Sequence, residues 1–301
     1  MFSKPVVNRK GKIEWGQVML NIFFMALCVC YIYPLLLLIS VSFEGASRAN
    51  FSLIVQEFTL DAYKQVFSTP EKILNGYIVT GFYSVVATLG SLVVMSMYAY
   101  PLSKRDFKYR NVLTFLLFFT TLFSGGLVPS YYINVKFLHL NNTIWIYIFP
   151  ALLSAWNVIV IRTFFQGLPD GLYDAARIDG ASEFRICFQI VIPLAVPALA
   201  SVGFLSFINH WNNWQTAQVY IRNPDLYSLQ YILKIILDSE ESLKELAATG
   251  FLSQLDADKQ LKNLESLRFA MAVIAAGPMT FIFPFFQKYF SKGLTLGSVK
   301  G

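Results

Sequence analysis

Charge is what this sequence is short of. Only 14% of its 301 residues are Asp, Glu, Lys or Arg, against roughly 25% in an ordinary soluble domain. A water-soluble globule could not cover itself with so few charged groups. Cysteine is scarce as well, with three residues, and histidine scarcer, with two. A disulfide scaffold is excluded by that count and by the length. His139 and His210 lie far apart, and no His/Cys/Asp cluster has metal-ligand spacing. No Gly-x-x-x-x-Gly-Lys-[Ser/Thr] phosphate loop and no nucleophile–base pair stands out. What is abundant is apolar: 55% of residues are hydrophobic, 28 are Phe, and the mean hydropathy is +0.52. Such a chain is too apolar to be disordered. A polytopic membrane protein remains.

The spacing of charges agrees. Uncharged windows run over 15–43, 73–103, 111–135, 137–161, 186–221 and 269–287. A helix rises 1.5 Å per residue, so about 20 residues cross roughly 30 Å of hydrocarbon. Each window can therefore hold one crossing. Backbone groups in lipid must pair internally, and these runs are continuous rather than alternating, so helices and not barrel strands are expected. The spans are placed at about 18–41, 75–100, 111–133, 142–162, 189–212 and 267–288. The first has a long apolar run containing Pro34 and no clear cleavage site, so it reads as a retained helix. Cys28 and Cys30 within it, and the distant Cys187, read as small apolar fillers.

Six crossings put both termini on one side. The N-terminal segment, the 101–110 loop, the 162–188 segment and the C-terminal tail then share a face with 14 basic and six acidic residues. The opposite face carries ten basic and twelve acidic residues. Net +8 against −2 makes the first face cytoplasmic. The overall charge of +6 is thus a topology signal and no nucleic-acid footprint. The expectation is a single all-α transmembrane domain over 1–301, with a cytoplasmic loop at 166–188 and a long outer loop at 213–266. In that outer loop Leu229, Ile232, Leu233 and Ile236 recur at helical spacing.

The 166–188 loop is the informative segment. Pro169-Asp170 offers a helix start with Asp170 as candidate N-cap, and Gly180 offers a left-handed stop. Ser182 can cap a second short helix, with Glu183 complementing its dipole. Leu172, Ala175, Ala176 and Asp179 fall on one face. Small residues on an amphipathic cytoplasmic helix suit docking into a groove of a soluble partner. A helix lying on the lipid surface would satisfy the same spacing.

Asp174-Ala175-Ala176, Asp179-Gly180-Ala181 and Ile190-Val191-Ile192-Pro193 resemble the EAA loop of ATP-binding-cassette importer permeases. The pattern there is Glu-Ala-Ala, three residues to Gly, then about nine to an apolar-x-Pro. Asp174 replaces the Glu and keeps its charge. The Ile-Asp-Gly-Ala version resembles the carbohydrate branch. Ala99-Tyr100-Pro101-Leu102-Ser103-Lys104, His210-Trp211-Asn212 and the tail from Phe285 to Gly301 extend the likeness over essentially the whole chain. The tail and the Leu229-Gln230 region are most similar to the subgroup associated with complex oligosaccharides.

The resemblance implies a type I importer permease fold and one permease half of a bacterial plasma-membrane transporter. It implies a second homologous permease, two ATPase subunits and an extracytoplasmic solute-binding protein as partners. ATP and magnesium would be used by the ATPases, and this chain would bind no cofactor. Asp174, Ala175, Ala176, Asp179, Gly180, Ala181, Phe184 and Pro193 become the ATPase-coupling residues, with Ala175 and Ala176 in the groove. A sugar path is expected to use Asn209, His210, Trp211, Asn212 and Asn213, with Trp156 and Asn157 as further candidates; polar groups in a span should face a cavity or another helix. Interhelical hydrogen bonding and an interfacial aromatic belt would explain the same residues. Arg162, near the inner end of its span, is expected to snorkel. Rival readings are a permease for peptides or amino acids, a secondary transporter, a channel and a membrane enzyme. The last three lack, respectively, intramembrane carboxylates, a filter signature and a catalytic constellation.

Overall fold

Helices follow the apolar windows, but half of the windows are broken. The structure, a computed structural model, describes residues 15–44, 53, 55, 57–68, 70–248 and 254–296, with some side chains beyond 253 left aside. The basic N-terminal segment before Trp15 and the last five residues lie outside this description. Among the described residues the one β feature is an isolated antiparallel bridge between Glu44 and Phe58.

In chain order the helices are α1 (Trp15–Ser42), α2 (Asp61–Val66), α3 (Pro70–Ser103), α4 (Arg110–Leu122) and α5 (Leu127–Tyr132). Then come α6 (Trp145–Ile148), α7 (Ala155–Gln166), α8 (Asp170–Ile178), α9 (Glu183–Ile186) and α10 (Ile192–Leu194). The chain continues with α11 (Val196–Trp211), α12 (Gln215–Tyr220), α13 (Leu229–Ala248) and α14 (Gln254–Leu296). Three helices, α1, α3 and the Leu264–Pro284 part of α14, are each long and apolar enough to cross a membrane. The other three windows hold bent pairs. Arg110–Leu122 and Leu127–Phe137 meet at 113°, Trp145–Ala151 and Ala155–Gln166 at 47°, and Glu183–Leu194 and Val196–Trp211 at 80°.

Each bend has a local cause. Gly125-Gly126 separates the first pair, and Gly126 sits at φ +82°, a conformation that costs little only without a Cβ. Pro150 lies in the tight turn Phe149–Ala151, after which Ser154 caps α7. Pro193 and Pro197 flank Ala195, where the third pair turns, because neither proline can donate the bond that would continue a straight helix.

Two compact units divide the chain: residues 1–68 with 236–274, and residues 69–235 with 275–301. In the first, Ser42 and Tyr63 join their hydroxyls at 2.8 Å, and Phe43 stacks on Phe58 and Tyr63. Glu240 of α13 is buried there. It accepts from Lys244 at 2.5 Å and from Arg268 of α14 at 2.7 Å.

In the second unit α3 is the spine, and α7 and α11 pack along it. Its buried face is built from small residues, including Gly76, Thr80, Ser84, Ala87 and Ser91, which lets neighbouring backbones approach. Two apolar clusters share this spine. One holds Val79, Tyr83, Ile146, Tyr147 and Ala217; the other holds Met95, Leu102, Ile161, Phe165, Tyr173 and Ile186. Tyr83 and Tyr147 stack at 4.4 Å, and Tyr83 donates to the His210 carbonyl at 2.8 Å. The predicted apolar stripe of α13 begins at Leu229, which is buried and donates its N–H to Thr80 Oγ1.

Removing one partner from the Glu240 pair tests the first unit. Arg268→Met leaves a buried carboxylate with Lys244 alone and should cost about 3 kcal/mol. The double variant Arg268→Met/Glu240→Met should recover most of that loss. Melting temperatures of the detergent-solubilised protein read both, and equal losses in the two variants would contradict the assignment.

Candidate coupling site and substrate path

The helical pair α8–α9 is shaped by its caps. Pro169, extended at φ −61° and ψ 131°, is the N-cap of α8, and Asp170 is its first helical residue. The sequence expectation of an Asp170 side-chain cap is therefore corrected. Proline pre-sets the entry, and the carboxylate acts through the helix dipole. At the other end the closure is a Schellman motif. Gly180 takes φ +76°, its N–H bonds the Arg177 carbonyl, and the Ala181 N–H bonds the Ala176 carbonyl, both at 3.0 Å. Ser182 then caps α9, accepting from the Arg185 N–H at 3.3 Å.

This geometry splits the expected face. Tyr173 and Ala176 turn inward, each about 7% exposed or less, into the cluster with Phe165 and Ile186. Leu172, Asp174, Ala175, Asp179 and Gly180 are exposed. Ala176 thus packs against its own chain, and Ala175 is the outward alanine of the pair. Ile178 at 86% and Phe184 at 65% are the most exposed large apolar side chains of the pair, ahead of Leu172. The Phe184 ring lies tilted against Phe188 at 4.5 Å, and Ala181 is half-buried. Pro193 is exposed, one turn along from Gln189.

Polar contacts tie this pair to the C-terminal end of α3 and the loop that follows it. Tyr100 donates to Glu183 Oε2 at 2.5 Å, and Arg177 Nε donates to Glu183 Oε1 at 2.9 Å. Arg177 also approaches Asp106 at 3.9 Å. Tyr173 donates to the Phe165 carbonyl at 3.1 Å, and Lys104 covers its ring. The Tyr100 hydrogen bond, more than Arg177, holds the Glu183 carboxyl below the usual carboxylate range. Burial, and then the Arg177 charge, push the Lys104 amine down to about 8. Neither Tyr100 nor Tyr173 was singled out in the sequence. The signal for Tyr173 was present, since it lies three residues before Ala176 on one helix face.

The expected sugar-path residues separate into two groups. Trp211 is buried and donates to the Ala275 carbonyl at 3.0 Å. Asn213 caps the start of α12, accepting from the Thr216 N–H at 3.0 Å. Asn157 of α7 donates to Ser206 of α11 at 3.1 Å. Those three serve helix packing and capping. Asn209 is exposed, Asn212 is exposed and accepts from Gln230 at 3.1 Å, and Trp156 is 70% exposed. His210 is half-buried, with a shielded Nε2 that has no hydrogen-bond partner.

The lowered Lys104 amine gives a signed prediction. An unfolded chain binds that proton up to the ordinary value of 10.5, while the folded chain releases it near 8. Stability from this site should therefore rise with pH across that window. Lys104→Met should flatten the rise in melting temperature between pH 8 and 10. An unchanged profile would contradict the assignment.

The comparisons with known proteins agree with this architecture. Residues 76–296 match the family model described as "Binding-protein-dependent transport system inner membrane component". The polygalacturonan/rhamnogalacturonan transport system permease protein YtcP of Bacillus subtilis is 34% identical over 93% of this chain and 96% of its own length. Protein LplC of the same organism is 39% identical over 90% of both chains. Among solved structures, a bacterial ABC transporter involved in the import of the acidic polysaccharide alginate matches with a TM-score of 0.76 and 26% identity. That match covers 95% of this chain and all of the other. The chain, mostly helical among its described residues and matched by the family model over residues 76–296, belongs to the family of binding-protein-dependent transport system inner membrane components.

Proposed function

We propose that this chain is one permease half of an ATP-driven importer for oligosaccharides. It crosses the plasma membrane six times with both termini inside, as one permease domain, and each bent helix pair counts as one crossing. A second homologous permease completes the pore. Two ATPase subunits, which use ATP and magnesium, dock on the cytoplasmic face, and an extracytoplasmic binding protein delivers the sugar. This chain carries no ATPase site of its own.

The observation that carries the reading is the α8–α9 pair. It is anchored on one side by Tyr173 and Ala176 and offers Ile178, Asp179 and Phe184 on the other. An apolar, nearly fully exposed Ile178 beside a rigid turn suits a partner's groove better than water. In the proposed cycle, closure of the ATPase dimer on ATP moves this pair. The motion reaches α3 through Tyr100, Glu183 and Arg177, and the spans rock from inward- to outward-facing. Asp174, Ala175, Gly180 and Ala181 shape the docking surface, and Pro193 sets the bend into α11.

The carbohydrate assignment rests on the relatives. YtcP is named for polygalacturonan and rhamnogalacturonan transport, and AraQ of Bacillus subtilis, 29% identical over 95% of this chain, for arabinooligosaccharides. Asn209, His210, Asn212 and Trp156 are the proposed sugar-path residues. Their amides and ring faces can meet sugar hydroxyls and apolar ring faces. Trp211, Asn213 and Asn157 shape that path by holding helices in place.

Gly180 separates coupling from assembly. A Cβ there meets nothing within 4 Å, so only the backbone conformation resists substitution. Forcing a β-branched residue to positive φ costs roughly 1–2 kcal/mol, so Gly180→Val should lower uptake about tenfold while ATP hydrolysis continues. Gly180→Asn, which tolerates that conformation, should keep most uptake. Gly180→Trp should uncouple the two most strongly. Normal uptake by Gly180→Trp protein at normal abundance would overturn the coupling role.

A further inference from the structure

Two arginines at the inner end of the second unit form no ion pair among the described residues. Arg110 opens α4, and Arg162 lies one turn before the end of α7. Arg162 Nη1 donates to Thr114 Oγ1 at 3.2 Å, and Thr114 lies one turn along α4 from Arg110. The Nε atoms of both arginines are shielded from solvent and have no hydrogen-bond partner. Among the described residues neither guanidinium forms an ion pair. Three aspartates share a cavity of about 470 Å³ with Arg110. Of these, Asp106 leans toward Arg177.

Like charges held together, partly desolvated and without a direct ion pair, are costly unless an anion joins them. The Nε–Nη edge of a guanidinium matches two phosphate oxygens. The first turn of α4 adds to this. Its N-cap, Tyr109, supplies no side-chain acceptor, and the helix dipole there favours negative charge.

The surroundings say what carries the phosphate. Arg110 is the last charge before the uncharged window that starts at Asn111. From it Val112, Phe115, Leu116 and Phe119 run along α4 with their side chains exposed. A headgroup at Arg110 would thus have hydrocarbon surface directly beside it, where acyl chains lie. We propose that Arg110 and Arg162, linked through Thr114, bind the phosphate of an anionic phospholipid of the inner leaflet. The proposal rests on the topology given above, which puts the 101–110 loop inside.

The test is a lipid titration of the purified transporter complex in mild detergent, read by native mass spectrometry. Phosphatidylglycerol and phosphatidylcholine with the same acyl chains are compared. Wild-type protein should retain one phosphatidylglycerol per copy of this chain at a concentration about tenfold below that for phosphatidylcholine. Arg110→Gln/Arg162→Gln should abolish that preference, and Arg110→Lys/Arg162→Lys should keep part of it. No preference in the wild type overturns the proposal without recourse to any variant. A preference that survives in the glutamine variant places the lipid elsewhere and also overturns it. Displacement of the lipid by millimolar inorganic phosphate would assign the site to a free anion instead. Failure of the importer reading shows up separately, as absence of an ATPase subunit from the purified complex, and leaves the titration of this chain readable.

Discussion

Hydrocarbon offers no hydrogen bonds, and the second unit is organised around that constraint. Helices that cannot rely on water to drive them together associate by close packing and by a few shared polar groups. α3 supplies both. Its small buried residues admit α7 and α11, and Thr80 Oγ1 accepts the Leu229 N–H across to α13, while Ser91 and Ser103 bond carbonyls one turn back in α3 and the buried Ser84 and Thr88 hydroxyls have no partner among the described residues. Enlarging this face has limits set by the neighbours. A Cβ on Gly76 would lie 2.9 Å from Ile232, and one on Gly203 of α11 would lie 2.9 Å from Leu92.

The same spine reaches the α8–α9 pair. At its C-terminal end Leu102 and Ala99 join the cluster that buries Phe165, Tyr173 and Ile186, and Tyr100 adds a hydrogen bond to Glu183. α8 and α9 therefore rest on α3 by an apolar anchor and a polar strut, and they continue through Cys187–Val191 into the bend at Ala195. Under the proposed function, a displacement of the pair acts on a packed core with few ways to yield. The prolines around Ala195 mark one place where it can.

Much of this was legible in the sequence, and the failures share a cause. Charge-free windows coincide with the helices because lipid admits only helices and closed barrels, and these runs do not alternate as barrel strands do. Gly180 announced a left-handed stop and Ser182 a cap, since each is decided within one turn of chain. The windows did not disclose that three of them hold bent pairs, although Pro150, Pro193 and Pro197 were visible. A proline says that a helix can bend, and the angle is set by what packs against it. Ala176 was placed on the outer face for the same reason. Spacing fixes which residues share a side of α8, and only the neighbouring Phe165 and Ile186 decide which side is inside.

The polar residues at the end of α11 carry that lesson to function. Asn209, Asn212 and Asn213 look equivalent in a sequence, as amides grouped beside tryptophans. In the structure Asn213 is consumed by the turn into α12 and Trp211 by the Ala275 carbonyl, while Asn209 and Asn212 remain accessible. An amide with its donors and acceptors spent on the fold has little left for a hydroxyl of a passing sugar. Accessible capacity therefore discriminates among candidates where residue type does not. The criterion applies with opposite emphasis to Arg110 and Arg162. Their unspent Nε donors sit beside the exposed apolar surface that runs along α4, a setting that suits an amphiphilic anion and not a neutral sugar.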